Sequence, residues 1–155
     1  MAIEIERKFL VKEKPFHLGK KSRHIRQGYI VNDQKQVIRV REKGDEYFLT
    51  LKGNNIGISR LEFDFPISKE DAEELLKHFC KTTMIDKTRH YVEFKGHTWE
   101  VDEFHGDNEG LVVAEIELDS EDEDFAIPEW IGEEVTPHER YYNMNLAIYP
   151  FKDWN

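Results

Sequence analysis

Apolar and polar residues alternate along most of this chain, and the alternation falls into segments of strand length. A period of two places successive side chains on opposite faces of a strand. Ala2–Val11 carries Ile3, Ile5 and Phe9 on one face and Glu4, Glu6 and Lys8 on the other. His24–Val31 is a second β-rich run and contains Tyr29; Val37–Lys43 sets Val37, Arg39 and Arg41 against Ile38 and Val40. Tyr47–Lys52 sets Phe48, Thr50 and Lys52 against Tyr47, Leu49 and Leu51. Ser59–Ile67 sets Arg60, Glu62 and Asp64 against Leu61, Phe63 and Phe65. Further on, Ile85–Phe94 aligns Lys87 with Arg89, and Thr98–Phe104 aligns Glu100 with Asp102 opposite Trp99 and Val101. Leu111–Asp119 aligns Glu115, Glu117 and Asp119 opposite Ala114, Ile116 and Leu118. Gly44-Asp45 and Gly53-Asn54-Asn55 supply turns between runs.

The period changes in three places. Ser68 with Asp71 resembles a capping box, and Ala72, Leu75, Leu76 and Phe79 form a helical stripe over 68–80. Ser120 with Glu123 predicts a short acidic helix. Thr136, Pro137 and Glu139 read as an N-cap, a first-turn proline and a capping glutamate for a helix near 137–148. No segment repeats another.

Eight strands, few helices and hairpin-length connections predict a mainly β (α+β) fold, a closed eight-stranded antiparallel β-barrel with a few covering helices. The chain of 155 residues reads as one domain over 1–155. A half-exposed sheet normally turns its charged face to water. Here six or seven strands each offer two or more alternating charges, and several have strongly apolar opposite faces. If helices 68–80 and 137–148 cover the apolar faces, the charges line the lumen. Buried charge is costly unless it is paired or holds ions. A lumen of this kind implies a ligand that is itself highly charged.

Charge along the chain strengthens this reading. The formal net charge is −10, yet residues 1–60 carry 14 basic and 7 acidic side chains. Residues 100–134 carry 15 acids and no Lys or Arg. The acidic total disfavours nonspecific nucleic-acid binding, which depends on Lys and Arg against phosphates. A lone cysteine, Cys80, excludes an internal disulfide framework and fits a reducing compartment. No run approaches the length of a membrane span and no signal-peptide pattern opens the chain, so a soluble cytoplasmic protein without membrane partners is expected. Trp99, Trp130 and Trp154 read as packing residues. The histidines show no zinc spacing, and the phosphate-binding loop G-x-x-x-x-G-K-[ST] is missing from the sequence.

The inward candidates sort by sign. Lys8, Arg39, Arg41, Lys52, Arg60, Lys87 and Arg89 are cations; Glu4, Glu6, Glu62, Asp102, Glu115 and Glu117 are carboxylates. Guanidinium forks suit phosphate oxygens, and clustered carboxylates suit hard cations such as Mg²⁺ that bridge phosphates. Both sets in one cavity point to a polyphosphate bound with metal. Glu4-Ile5-Glu6 places two carboxylates on one strand face about 6.8 Å apart, and Glu115-Ile116-Glu117 repeats the spacing.

Glu4-Ile5-Glu6-Arg7-Lys8 resembles the E-x-E-x-K signature of the CYTH superfamily, the triphosphate tunnel metalloenzymes. The resemblance continues in order through Arg39-Val40-Arg41, Thr50-Leu51-Lys52, Ser59 to Glu62, Lys87-Thr88-Arg89, Asp102, Glu115-Ile116-Glu117, Gly132 to Val135 and Arg140-Tyr141. It implies a β-barrel tunnel that binds a triphosphate with Mg²⁺ or Mn²⁺. It implies that Lys8, Arg39, Arg41, Lys52, Arg60, Lys87 and Arg89 hold phosphate oxygens. Glu4, Glu6, Asp102, Glu115 and Glu117 become metal ligands or their immediate supports. Glu62 and Glu134 become ligands or partners that orient basic side chains. Tyr29 matches a tyrosine linked to tunnel lysines, so Glu4, Glu6, Lys8, Tyr29 and Lys87 are the catalytic candidates; Arg140 is expected to reach the tunnel from the last helix.

The short chain resembles the small bacterial inorganic triphosphatases and devotes little sequence to a base pocket. Hydrolysis of inorganic triphosphate is therefore the expected reaction, on a small-molecule substrate, by a monomer or homodimer. Hydrolysis of thiamine triphosphate or a nucleotide, cyclisation of ATP by a class IV-type adenylate cyclase, and noncatalytic polyphosphate binding are the alternatives.

Overall fold

The computed structural model describes residues 3–33, 35–80 and 82–154. Nine strands follow one another: β1 (Ile3–Val11), β2 (Lys21–Asn32), β3 (Val37–Lys43), β4 (Glu46–Lys52), β5 (Ser59–Pro66), β6 (Ile85–Phe94), β7 (His97–Phe104), β8 (Val112–Glu117) and β9 (Ile131–Glu134). Among the described residues two α-helices accompany them, α1 (Lys69–His78) and α2 (Asn143–Leu146). Ala2, assigned by its pattern to the first strand, lies outside the described residues.

Strands pair antiparallel in the order β5-β4-β3-β2-β6-β7-β8-β1, and β5 pairs again with β1, which closes an eight-stranded barrel. Closure uses Ile3↔Leu61, Glu4↔Arg60 and Ile5↔Ser59. The same edge of β1 then turns to β9, through Phe9↔Glu134 and Val11↔Ile131. This ninth strand was not foreseen. Its four residues, Ile131-Gly132-Glu133-Glu134, are too few to show a period.

Tight turns set the register. β3 and β4 join through Gly44-Asp45, with Lys43 opposite Glu46 and Gly44 at φ +61°. β6 and β7 join through Lys95-Gly96, both at positive φ, which two-residue hairpins of matching twist require.

The barrel wears its main apolar core on the outside. Phe9, Val92, Trp99, Val101, Ala114, Ile116 and Leu118 form one buried cluster beneath Trp130 and Ile131. Trp99 is fully buried, and its ring meets Phe9, Phe125 and Trp130 edge-on at 5.5–5.9 Å. The cover here is the irregular segment 118–131, not a helix. Ser120 and Glu123 build a turn instead of the expected acidic helix. Asp119 N–H donates to the Glu123 carboxylate (2.6 Å), which also pairs with His97 (2.6 Å), so that carboxylate caps a loop.

The second cluster closes one end of the barrel: Tyr29, Val37, Ile85, Phe104, Leu111 and Val113 meet Leu146 and Ala147. The helix expected over 137–148 is broken. Glu139–Tyr141 forms a single 3₁₀ turn, Tyr142 is extended at ψ 136°, and α2 has only four residues. Thr136 does not cap it; its hydroxyl accepts from Lys8 N–H (3.0 Å). Lys8 also takes the Tyr141 carbonyl through its ammonium (3.2 Å), withdrawing an acceptor a continuous helix would use.

Helix α1 begins as expected, with Ser68 Oγ accepting from Asp71 N–H (3.1 Å), and it buries Ala72 completely. It stops short of the expected stripe: Phe79 is the C-cap and is exposed. Leu51, Leu61, Phe63, Phe65 and Ile3 also stay exposed, so the helices cover only part of the outer face. Among the described residues, no helix is long and apolar enough to cross a membrane.

Candidate functional site

The lumen is a cavity of about 660 Å³. Its walls carry Glu4, Glu6 and Lys8 from β1, Arg39, Arg41 and Lys43 from β3, and Lys52 from β4. Arg60, Glu62 and Asp64 come from β5, Lys87 and Arg89 from β6, Glu100 from β7, and Glu115 and Glu117 from β8. Tyr142, Asn143 and Met144 form its floor side with Tyr29 and Val37. The strand parity read from the sequence is the parity that faces inward.

Barrel closure sorts these charges into facing walls. β7, β8 and β1 are consecutive, and Glu6↔Glu117 and Glu100↔Glu115 are direct cross-strand pairs. Like charges placed so destabilise a sheet. Across the ring lie β3 and β4 with Arg39, Arg41 and Lys52. A basic wall therefore opposes an acidic one.

Each cation is held by a specific partner. Lys87 is wholly buried and donates to Asp102 (2.7 Å) and to Asn143 (2.9 Å). Arg89 forks onto both oxygens of Asp102 at 2.8 and 2.9 Å and reaches Glu100 at 3.3 Å. Arg39 bonds Thr50 (3.1 Å), and Thr50 in turn donates to Asp64. Lys52 pairs with Glu4 (3.2 Å) and lies 3.8 Å from Glu62. Arg60 grips the Gly53 carbonyl through Nε and Nη2 at 3.0 and 2.7 Å. Arg39 Nε is buried without a partner among the described residues, which an anionic ligand oxygen would satisfy.

Burial and crowding move the acids apart. Burial and the neighbouring Glu115 and Glu4 carboxylates push Glu6 well above the ordinary range. Glu62 rises to about 7, through burial and a hydrogen bond shared with Glu4. Burial alone would also raise Glu4, but the Lys52 ammonium and the Glu62 hydrogen bond bring it down to about 2. Burial opposes the charge of Glu115 as well; Lys8 and Arg89 overcome it and hold that carboxyl well below its usual value. Among the cations, burial brings Lys87 down to about 7 despite Asp102, helped by Arg89 and Arg41. Burial, Arg39 and Arg89 bring Arg41 down to about 10. Such divergence among crowded groups is a mark of functional sites.

Three of the sequence candidates lie apart from the cavity wall or are already engaged. Asp102 is fully buried, does not line the cavity and engages Lys87 and Arg89 with both oxygens, so it supports those cations. Glu134 forks onto Arg7 at 2.8 and 2.6 Å and accepts from Thr136 at the cavity margin. Arg140 does not reach the tunnel: its guanidinium lies 4.0 Å from the Trp154 ring centre, outside the cavity. The broken last helix turns it outward. Lys43, Asp64 and Glu100 line the cavity but were passed over, although strand parity marks all three. Asn143 was also missed, and no local pattern signals it, because its contact with Lys87 spans 56 residues.

The acidic wall has the donor chemistry of a divalent-cation site. Glu4, Glu6, Glu115 and Glu117 offer only oxygen, the preference of Mg²⁺ and Mn²⁺. Among the described residues no three acidic, His or Cys side chains are gathered as a complete protein cage. The repulsion that raises Glu6 is what a bound cation relieves.

Comparison with known proteins agrees with this geometry. Residues 2–145 match the family model described as CYTH domain. The chain is 47% identical over 154 residues to an inorganic triphosphatase of Acetivibrio thermocellus, with 99% of each chain covered. It is 38% identical over 152 residues to an inorganic triphosphatase of Nitrosomonas europaea, covering 94% of this chain and 97% of that one. The crystal structure of the inorganic triphosphatase NE1496 superposes with a TM-score of 0.68 at 36% identity, covering 96% of both chains.

Proposed function

This chain belongs to the CYTH domain family, and from that premise we propose that it is an inorganic triphosphatase, cleaving triphosphate to pyrophosphate and phosphate inside its barrel. The observation that carries the reading is the lumen itself, where a basic wall on β3 and β4 faces an acidic wall on β7, β8 and β1. A triphosphate with a divalent cation is complementary to both walls at once. The names of the two relatives support the same reaction. Tyr29 and Tyr142 are the only aromatic side chains among the described residues of the cavity wall, which favours an inorganic substrate over one with a base to stack.

In this reading Arg39, Arg41, Lys52 and Arg60 hold phosphate oxygens from one side, with Lys8, Lys87 and Arg89 from the other. Guanidinium forks fix the chain of phosphates in one direction, and fixed cations stabilise charge on the equatorial oxygens and on the leaving pyrophosphate. Asp102 and Asn143 set the Lys87 ammonium, and the Tyr141 carbonyl sets that of Lys8. Glu4, Glu6, Glu115 and Glu117 would hold Mg²⁺ or Mn²⁺, with Glu62 tied to Lys52 and Glu4 behind them. The bound cation supplies charge neutralisation and a lowered pKa for water.

The test is phosphate release from inorganic triphosphate, thiamine triphosphate and nucleoside triphosphates, with and without Mg²⁺ or Mn²⁺. Turnover of inorganic triphosphate that disappears on chelation and returns with the metal is expected. Turnover that survives exhaustive chelation, or release of pyrophosphate and cyclic AMP from ATP, would overturn it.

A further inference from the structure

Behind the cavity wall lies a fully buried side chain that the proposed chemistry has not used. Gln27 on β2 is completely inaccessible and absent from the cavity wall, yet its amide joins two residues that reach the lumen. Its Oε1 accepts from Arg41 Nε at 2.8 Å, and its Nε2 lies 2.8 Å from the Tyr29 hydroxyl. Gln27 and Arg41 are direct cross-strand partners, and Tyr29 follows two residues along the same face of β2. Neighbouring Gly28 is locked in depth, since a Cβ there would stand 2.9 Å from Cys80 Sγ.

The order of these contacts has one chemical solution. A guanidinium has donors only, so the amide group must turn its oxygen to Arg41 and its NH₂ to Tyr29. The Tyr29 oxygen is then an acceptor toward Gln27, and its own O–H must donate elsewhere. Tyr29 lines the cavity, so that direction is the lumen. Arg41 meanwhile spends Nε on Gln27 and keeps its two Nη groups for the cavity.

We propose that Gln27 is a positioning residue that aims two groups at the triphosphate, directing the Arg41 fork toward phosphate oxygens and obliging the Tyr29 hydroxyl to act as a hydrogen-bond donor. The proposal rests on the triphosphatase reading for its substrate but not for its geometry. Burial gives it force: Gln27 is sealed from solvent, so the two hydrogen bonds are not replaced by water on its side once the amide is gone.

Four variants, Q27M, Q27E, Y29F and Q27E/Y29F, separate this role from mere packing. Q27M keeps volume and removes both hydrogen bonds; kcat should fall about tenfold and KM rise about tenfold, the scale of one lost hydrogen bond each. Q27E restores the acceptor for Arg41 but not the donor for Tyr29. Its KM should recover below that of Q27M, while its kcat stays at the level of Y29F. In the Y29F background, Q27E should cause no further loss of kcat. Additive losses in Q27E/Y29F, or a Q27M enzyme with wild-type constants, would overturn the proposal. A readout independent of turnover keeps the two readings apart. The Arg41 Nε–H proton, assigned with R41K, should be protected from exchange in the wild type and lose protection in Q27M, with far-UV circular dichroism unchanged. Equal protection in both proteins overturns the proposal even if triphosphate is hydrolysed; protection lost in Q27M supports it even if the substrate assignment fails.

Discussion

The two faces of β7 and β8 make opposite demands on the same backbone. Outward, Trp99, Val101, Ala114 and Ile116 are fully buried against Phe9 and Trp130. Inward, Glu100, Glu115 and Glu117 crowd one another, and Glu115 is held ionised against burial by the neighbouring Lys8 and Arg89. One face stabilises the barrel and the other strains it. This fold places its hydrophobic core outside its sheet, which frees the interior to hold charges that no ordinary core tolerates.

The largest effect expected from breaking this arrangement is on the outer face. Trp99→Ala should remove about 3–5 kcal/mol of stability, the usual cost of truncating a buried aromatic ring. At roughly 2–4 °C per kcal/mol for a chain of this size, melting should fall by about 6–20 °C in calorimetry. Glu6→Gln tests the inner face and should do the reverse. Turnover should drop about 100-fold, in line with losing a preorganised charged group. The melting temperature without metal at neutral pH should hold or rise, because the variant removes the cost of burying a carboxyl there, beside the Glu115 and Glu4 carboxylates. A Glu6→Gln protein that melts well below the wild type would break the comparison.

Smaller effects sharpen it. Arg39→Ala should raise KM for triphosphate about 10- to 100-fold, as for one charge-assisted contact, with a lesser change in kcat. The metal-free protein should also have a stability minimum near neutral pH. Glu62 keeps its proton in the fold up to about 7, whereas the unfolded chain releases it near 4.5, so stability is lost as pH rises through that window. Lys87 releases its proton near 7 in the fold but near 10.5 when unfolded, so stability returns above neutrality. Chemical denaturation across pH should show both limbs, with E62Q flattening the acidic one and K87M the basic one. The smallest change belongs to Arg140→Ala. That residue stacks on Trp154 outside the tunnel, and kinetic constants within about twofold of wild type are expected.

Most of the inner wall was legible because strand parity is a local property. Arg39 with Arg41, Lys87 with Arg89, and Glu115 with Glu117 share faces by the period of two alone, and so does Gln27 with Tyr29. The same rule could not tell inside from outside. That choice depends on closure between Leu61 and Ile3, and on the segment 118–131 settling over Trp99. Helix ends were less legible. Ser68 caps α1 as its pattern predicts, whereas Thr136, with an equally good pattern, serves the backbone of Lys8. A distant strand competed for that hydroxyl and won.

The net charge of −10 is a sum over two walls of opposite sign. The makeup of each wall is written in the order of residues alone: which positions alternate, which strands are basic, and which are acidic. Only the tertiary structure decided that the walls face each other, that Asp102 serves two cations, that Arg140 stays outside and that Asn143 and the Tyr141 carbonyl reach the lumen lysines. Alternation is dictated within a few residues by backbone geometry. Pairing across the barrel depends on loops closing over dozens of residues, and on which buried polar groups then find partners.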